Sequence, residues 1–435
     1  MVRTIKIGAA EIAGVLLFAG LAISDVYAEA CSVVPGAPLR AGYDSDLVLC
    51  GDDLPASITL VGLDKAGIEQ LYMQPLKQCN WNDKRAGFHL VLKARAAAHG
   101  LAIPVADSAT GKVACDVTTD ILPARPAVPE PSWLGSMPEA SVKIVDVKGI
   151  RTRYFERGDG PPLVLVHGGQ SGGYNNHARK WESVFPGLSK TFRVIALDRL
   201  GQGGTDNLKP EDYPNYYALD AVHLENFIEA LGLTGVTLVG HSQGGWPVMR
   251  VALNRPDLVH CLVNVGSVLV PDDGKRMLEA LAFVQYVDGP VHPETGPTFY
   301  SARRALGLRL VSGNNITAAN IQRVLDQYQS AKIQEARKIR QSIRLNPAHP
   351  SFIALKKQAY DDIAAGQLKV RTLDIWGDKD LESPYPLGLQ FHQMLLDNGV
   401  QAKLAIVEGS GHSPHVEFPE VFTQIVVDYC GPTPN

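Results

Sequence analysis

The sequence predicts an α/β chain: an eight-stranded, mostly parallel sheet with a helical insertion, preceded by a small disulfide-stapled β domain. Three observations point there. Strand-like and helix-like segments alternate from residue 141 onward, four prolines fall within residues 123–131, and four of the six cysteines lie in the first third of the 435 residues. The length exceeds one average domain, and 45% hydrophobic with 20% charged residues is ordinary globular composition.

The first thirty residues stand apart. Arg3 and Lys6 precede an uncharged apolar run, Ile12 to Ile23, followed by Val26-Tyr27-Ala28-Glu29-Ala30. This is the layout of a secretory signal peptide over 1–30, which implies a periplasmic or secreted protein. The run is short of the roughly 20 residues a membrane span needs, so no stable membrane anchor is expected after cleavage. Cleavage after Ala30 would expose Cys31, but Ala28 and Glu29 fit a lipoprotein signal poorly. The 41 basic and 45 acidic residues form no long run of one sign, so charge indicates neither a nucleic-acid nor a membrane-surface partner.

Residues 31–122 read as the β domain. Short alternating runs at Leu47 to Leu49, Ser57 to Val61, Phe88 to Lys93 and Lys112 to Val117 are broken by Gly, Pro and Asp turns. Cys31, Cys50, Cys79 and Cys115 lack the close spacing of a zinc site and suit two bridges in an oxidising compartment. Cys261 and Cys430 are left with two readings, a bridge to each other or burial as small hydrophobes. The proline cluster makes 123–140 an extended linker.

Eight strands are expected beyond it, at Val142 to Val147, Thr152 to Glu156, Leu163 to His167, Arg193 to Leu197, Val236 to Gly240, Leu262 to Val265, Val370 to Trp376 and Leu404 to Val407. The last five are nearly unbroken apolar runs, as strands buried on both faces require. Core segments 141–269 and 368–435 therefore bracket an insertion, 270–367, of mostly helical composition, with apolar spacing of three to four over Ile321 to Ile343. The insertion is expected to act as a lid from Val270 to about Gln367, with Phe283, Tyr286, Phe299 and Tyr300 as pocket or core aromatics.

The chemistry sits at strand ends. Gly240-His241-Ser242-Gln243-Gly244 follows a strand and opens a helix, the context of a G-x-S-x-G nucleophile elbow. A serine hydroxyl is a weak nucleophile at neutral pH and needs a base plus a group that orients the base. Trp376-Gly377-Asp378-Lys379-Asp380 ends the seventh strand and offers Asp380 as the acid, with Asp378 as the alternative. Gly411-His412 follows the eighth strand and offers His412 as the base. His415, three residues on, reads as a surface or capping residue, and His167 and His241 as structural. Two donors must face the oxyanion. The Gln243 N–H is one; the other comes from His167-Gly168-Gly169-Gln170, with Gly169 first and Gln170 second. That loop lacks the Lys and Ser/Thr of a phosphate-binding P-loop.

These residues resemble the α/β-hydrolase superfamily over roughly Val142 to Cys430. The matching motifs are His167-Gly-Gly169, Asp198-Arg-Leu-Gly-Gln-Gly-Gly-Thr205-Asp206, the elbow, Trp376-Gly-Asp-Lys-Asp380, and Gly411-His412-Ser-Pro-His-Val-Glu417. Within the superfamily they look most like the cofactor-free, cap-bearing group that includes esterases, carbon–carbon bond hydrolases of ring-cleavage products and perhydrolase-like enzymes. The resemblance implies a Ser242–His412–Asp380 triad with no metal or organic cofactor. Ser242 stands where haloalkane dehalogenases and epoxide hydrolases carry Asp. Ser413 stands where ring-cleavage hydrolases place Trp, and the loop reads GGQSGG rather than the GGPG of proline iminopeptidases.

The expected activity is therefore cleavage of a small carboxylic ester, or of a lactone or amide, through an acyl-serine intermediate. Two alternatives stand beside it. One is carbon–carbon hydrolysis of dienone acids, which a lid arginine such as Arg303 or Arg304 facing the pocket would favour. The other is a non-catalytic binding protein on the same fold.

Overall fold

A computed structural model of the chain describes residues 32–34, 39–40, 44–51, 54–76, 85–122, 132–173, 175–270, 302, 306, 307, 309–311, 316 and 318–432. The signal-peptide segment, Cys31, Cys79, the lid aromatics 283, 286, 299 and 300, and Arg303 and Arg304 lie outside the described residues. Those described fall into two compact units, one ending by residue 122 and one beginning at residue 132.

The first unit is a β sandwich. β1 (Ser32–Val34), β3 (Asp44–Cys50), β6 (Gly87–Ala94) and β5 (Ile68–Leu76) form one four-stranded sheet in the order β1-β3-β6-β5. β2 (Leu39–Arg40), β8 (Val113–Leu122), β7 (Ala98–Asp107) and β4 (Ile58–Leu60) form the other, in the order β2-β8-β7-β4. Leu49, Phe88 and Leu90 from the first sheet and Ile103, Val105 and Val117 from the second share one apolar cluster. Cys50 and Cys115 are both in disulfides.

The second unit carries the eight-stranded sheet, ordered β16-β15-β14-β13-β11-β12-β10-β9. Its strands are β9 (Val142–Val147), β10 (Ile150–Arg157), β11 (Pro162–Val166), β12 (Arg193–Leu197), β13 (Val236–His241), β14 (Val259–Val265), β15 (Arg371–Gly377) and β16 (Ala402–Val407). β10 pairs antiparallel with β9 and β12, and every other pairing is parallel. Alternate side chains of one strand point to opposite faces. Leu163 and Leu165 of β11 accordingly enter one core cluster, with Val194, Val239 and Val263. Val164 and Val166 enter the other, with Ile195, Leu238 and Leu262. Both faces are apolar, which is why these strands read as unbroken apolar runs.

The helices of this unit are α1 (Phe185–Leu188), α2 (Tyr216–Ala230), α3 (Gly245–Asn254), α4 (Ala318–Gln329), α5 (Ala331–Ser342), α6 (Pro350–Ala364), α7 (Tyr385–Asp397), α8 (Pro414–Glu417) and α9 (Pro419–Cys430) among the described residues. Strand order reverses at β11: β12 lies on one side of it and β13 on the other, so loops at their carboxyl ends border a crevice.

Two expected boundaries shift. The linker expected over 123–140 has its end packed on the second unit: Met137 is 1% exposed, Arg179 Nε donates to its carbonyl, and the Gly135 N–H donates to Glu182. Within the insertion expected to act as a lid, 270–367, α6 packs into the core of the sheet unit. Phe352 of α6 packs 4.4 Å from Tyr217 and 5.5 Å from Trp246 between ring centres, and Lys356 Nζ donates to the Val270 carbonyl. Of the two readings for Cys261 and Cys430, the bridge is the one found, joining β14 to the end of α9 across 169 residues of sequence.

Candidate active site

Ser242 stands at the end of β13 with φ of 53°, a left-handed conformation that costs a non-glycine residue about 1–3 kcal/mol and clusters at functional sites. The turn is as tight as the elbow motif demands. A methyl on Gly244 would come within 2.3 Å of the Val166 carbonyl oxygen, and one on Gly240 within 2.5 Å of the Gly244 carbonyl oxygen. Gly168 passes equally close, since a methyl there would lie 2.8 Å from Ser242 Cβ. The HGG loop is thus pressed directly against the nucleophile.

The segment after β14 joins serine to base. The Val268 N–H donates to the Ser242 carbonyl at 3.1 Å, and a methyl on Gly266 would stand 3.2 Å from His412 Nδ1 and 3.1 Å from Asp380 Oδ2. His412 is 5% exposed, and its Nδ1–H donates to Asp380 Oδ2 at 2.8 Å. Asp380 is fixed in turn, its Oδ1 accepting the Glu382 and Ser383 N–H groups at 2.9 Å each. Asp378, the alternative acid, is occupied elsewhere: its Oδ1 accepts the Gly409 N–H at 2.6 Å and its Oδ2 pairs with Lys379.

His412 Nε2 has no hydrogen-bond partner among the described residues. Glu382 Oε2 lies 3.2 Å from it, but off the direction of a ring hydrogen bond, so the contact is ionic only. Burial disfavours the charged imidazole, while Asp380 and Glu382 favour it more strongly and hold the pKa above the ordinary value.

The oxyanion loop is clamped from below. Buried Arg199 pairs with Asp220 and donates to the carbonyls of His167 and Gly169 at 3.0 and 2.7 Å. Asn176 donates to the Gln170 carbonyl and fills the space beside Gly169, where φ is 82°. Gln243 lies in the first turn of the helix after the nucleophile, where N–H groups have no intrahelical acceptor. Gln170 accepts from Tyr217 through its side chain. The insertion covers the loop from above: α5 runs so close that a methyl on Gly172 would lie 2.5 Å from the Arg337 nitrogen.

His415 departs from the surface or capping role expected of it. It is 1% exposed, with its ring 4.3 Å from Trp181, 4.7 Å from His241 and 5.8 Å from Phe422, in a pocket set by tertiary packing. His167 and His241 are structural as read. His167 donates Nδ1–H to the Gly168 carbonyl, and His241 donates Nε2–H to the His412 carbonyl. Arg199, inside the Asp198–Asp206 motif, and Glu382 and Arg309, which no motif marks, are site residues that the sequence pattern does not single out.

Burial holds His167, His177, His241 and His415 well below the ordinary imidazole pKa, and His223 at about 4. Below pH ~6.5 the unfolded chain binds more protons at these sites than the folded one. Each therefore withdraws about 1.4 kcal/mol of stability per pH unit as pH falls from there toward its folded value, while His412 acts in the opposite sense. Urea unfolding at pH 7.5 and 5.5 is expected to show a loss of several kcal/mol at the lower pH; equal stabilities would contradict the buried neutral state.

Residues 161–419 match the family described as alpha/beta hydrolase fold. The 2-hydroxymuconate semialdehyde hydrolase of Pseudomonas sp. (strain CF600) is 28% identical over 305 residues, 67% of this chain and 94% of that protein. The 2-hydroxy-6-oxo-6-(2'-aminophenyl)hexa-2,4-dienoic acid hydrolase of Metapseudomonas resinovorans is 39% identical over 127 residues, and the chain spans only 42% of its length. The meta-cleavage product hydrolase structure from Pseudomonas fluorescens IP01 shares the fold, with TM-score 0.53 and 24% identity over 67% of this chain and 98% of that one. A strained serine at a strand-to-helix turn, an Asp–His pair at neighbouring strand ends and a family match over most of the second unit agree: this chain belongs to the α/β-hydrolase fold family and is a hydrolase.

Proposed function

We propose that the enzyme hydrolyses a carbon–carbon bond next to a ketone in a small dienone acid of the ring-cleavage type. The observation that carries this is the kinship with 2-hydroxymuconate semialdehyde hydrolase over 94% of that protein, together with the second relative named for a hexadienoic acid. It displaces ester cleavage, which composition and motifs alone favoured. In this reading Ser242 adds to the ketone carbonyl as His412 takes its proton. The N–H groups of Gln243 and Gly169 receive the oxyanion, with Gln170 the second choice in that loop. The carbon–carbon bond breaks, the leaving carbon takes the proton from His412, and water assisted by His412 releases the acid from Ser242. A carbon leaving group departs only if its electron pair is stabilised, and a dienone acid supplies that stabilisation by conjugation.

One observation favours the ester reading: Ser413 follows the base where ring-cleavage hydrolases place Trp. A panel of dienone acids and chromogenic esters separates the two. We expect kcat/KM for the best dienone acid to exceed that for the best ester by roughly 10²-fold or more. Ester turnover with dienones untouched would reverse the assignment. The leader-like residues 1–30 and the disulfides favour an exported protein, which fractionation of expressing cells would test.

A further inference from the structure

Glu382 occupies a position that a serine–histidine–aspartate triad does not require. It lies two residues beyond the acid, its side chain is 13% exposed, and its carboxylate has two charged neighbours. Oε1 receives Arg309 Nε at 2.5 Å, and Oε2 approaches His412 Nε2 at 3.2 Å. With Asp380 at Nδ1, the imidazole is held between two carboxylates, one on each ring nitrogen. A carboxylate this buried would ordinarily take up a proton. Burial does push Glu382 upward, but Arg309 and His412 outweigh it and hold the group below its usual value, so it stays ionised.

We propose that Glu382, clamped by Arg309, is a positioning residue that stabilises the His412 imidazolium from the Nε2 side and sets the pH below which the base is disabled. This rests on His412 being the general base. Because the Glu382 contact is off the hydrogen-bonding direction, it leaves the Nε2 lone pair free for the serine proton while lending charge to the protonated ring. Other groups face the ring. His241 lies 4.8 Å away between ring centres, the Arg309 carbonyl accepts the His412 N–H while its guanidinium disfavours the charged ring, His415 of α8 interacts with it, Glu417 of α8 accepts the neighbouring Gly411 N–H, and Lys180 acts on Glu382. Among the described residues, Asp380 and Glu382 are the carboxylates that favour the charged ring. Arg309 belongs to the insertion, so a residue 73 positions away in sequence holds this carboxylate in place.

The test is the pH dependence of Ser242 labelling by a fluorophosphonate, which requires a neutral His412. E382Q keeps the side-chain shape and removes the charge. Its acidic midpoint is expected below that of wild type, so that at a fixed pH on the acidic limb its normalised labelling rate rises roughly threefold or more. The rate on the neutral plateau falls. E382D, which keeps the charge but draws it back by one methylene, moves the midpoint the same way by less, and carries the test alone if the Gln variant does not fold. Coincident midpoints in all three proteins would overturn the role. NMR titration of the His412 ring in the same proteins gives the same comparison if labelling is too slow to measure. Neither readout depends on the natural substrate, so failure to cleave dienone acids would sink the proposed reaction and leave this inference standing, and the reverse also holds.

Discussion

Replacing Ser242 with Ala is expected to lower kcat by about 10⁶-fold and to abolish fluorophosphonate labelling, while the protein remains folded. The residue sits at φ 53°, held by the close passage of Gly168 and by the Val268 N–H on its carbonyl, so the turn does not depend on the hydroxyl. Only the nucleophile is lost. Ser242→Ala and His412→Ala act on one unit, so the double variant should be about as slow as either single one. A labelled Ser242→Ala protein would move the nucleophile elsewhere, and an unlabelled, well-folded wild type would favour a binding role on the same fold.

Asp380→Asn is expected to reduce kcat on the order of 10⁴-fold. Asp380 accepts three N–H groups, from His412, Glu382 and Ser383, and a carboxylate has the lone pairs for all three. An amide does not. If its NH₂ faces His412, the ring must carry its proton on Nε2 and cannot accept one from serine. If the amide is flipped, the NH₂ opposes the two loop N–H groups and the loop is displaced. Asp378→Asn is the control, because among the described residues Asp378 ties only Gly409 and Lys379, and its activity should stay within about tenfold of wild type. If the control variant lost as much activity as Asp380→Asn, the acid would have to be reassigned.

The site was legible where one stretch of sequence carries its own constraint. The elbow glycines are required by contacts within the turn or with the adjoining strand, and the core strands by burial on both faces, so Val236 to Gly240 was read within one residue of β13 (Val236–His241). Pattern failed where neighbours decide. β7 holds Gly100 and Pro104, and β5 holds Pro75 and a register shift, so neither shows clean alternation, yet both are paired in full sheets. His415 looked like a helix-start residue because nothing nearby in sequence reports that Trp181 and Phe422 enclose it. Arg309 meets Glu382 across 73 residues, and no local motif encodes such a pairing.

The bond between Cys261 and Cys430 ties the closing helix of the chain to a strand in the middle of the sheet, and the loop bearing His412 lies just ahead of that helix. The proton-transfer residue is therefore fastened at both ends, by β16 before it and by a covalent staple after it. With the thiols reduced, that helix would hold its end by packing alone, through Phe422 and Val426 against the sheet.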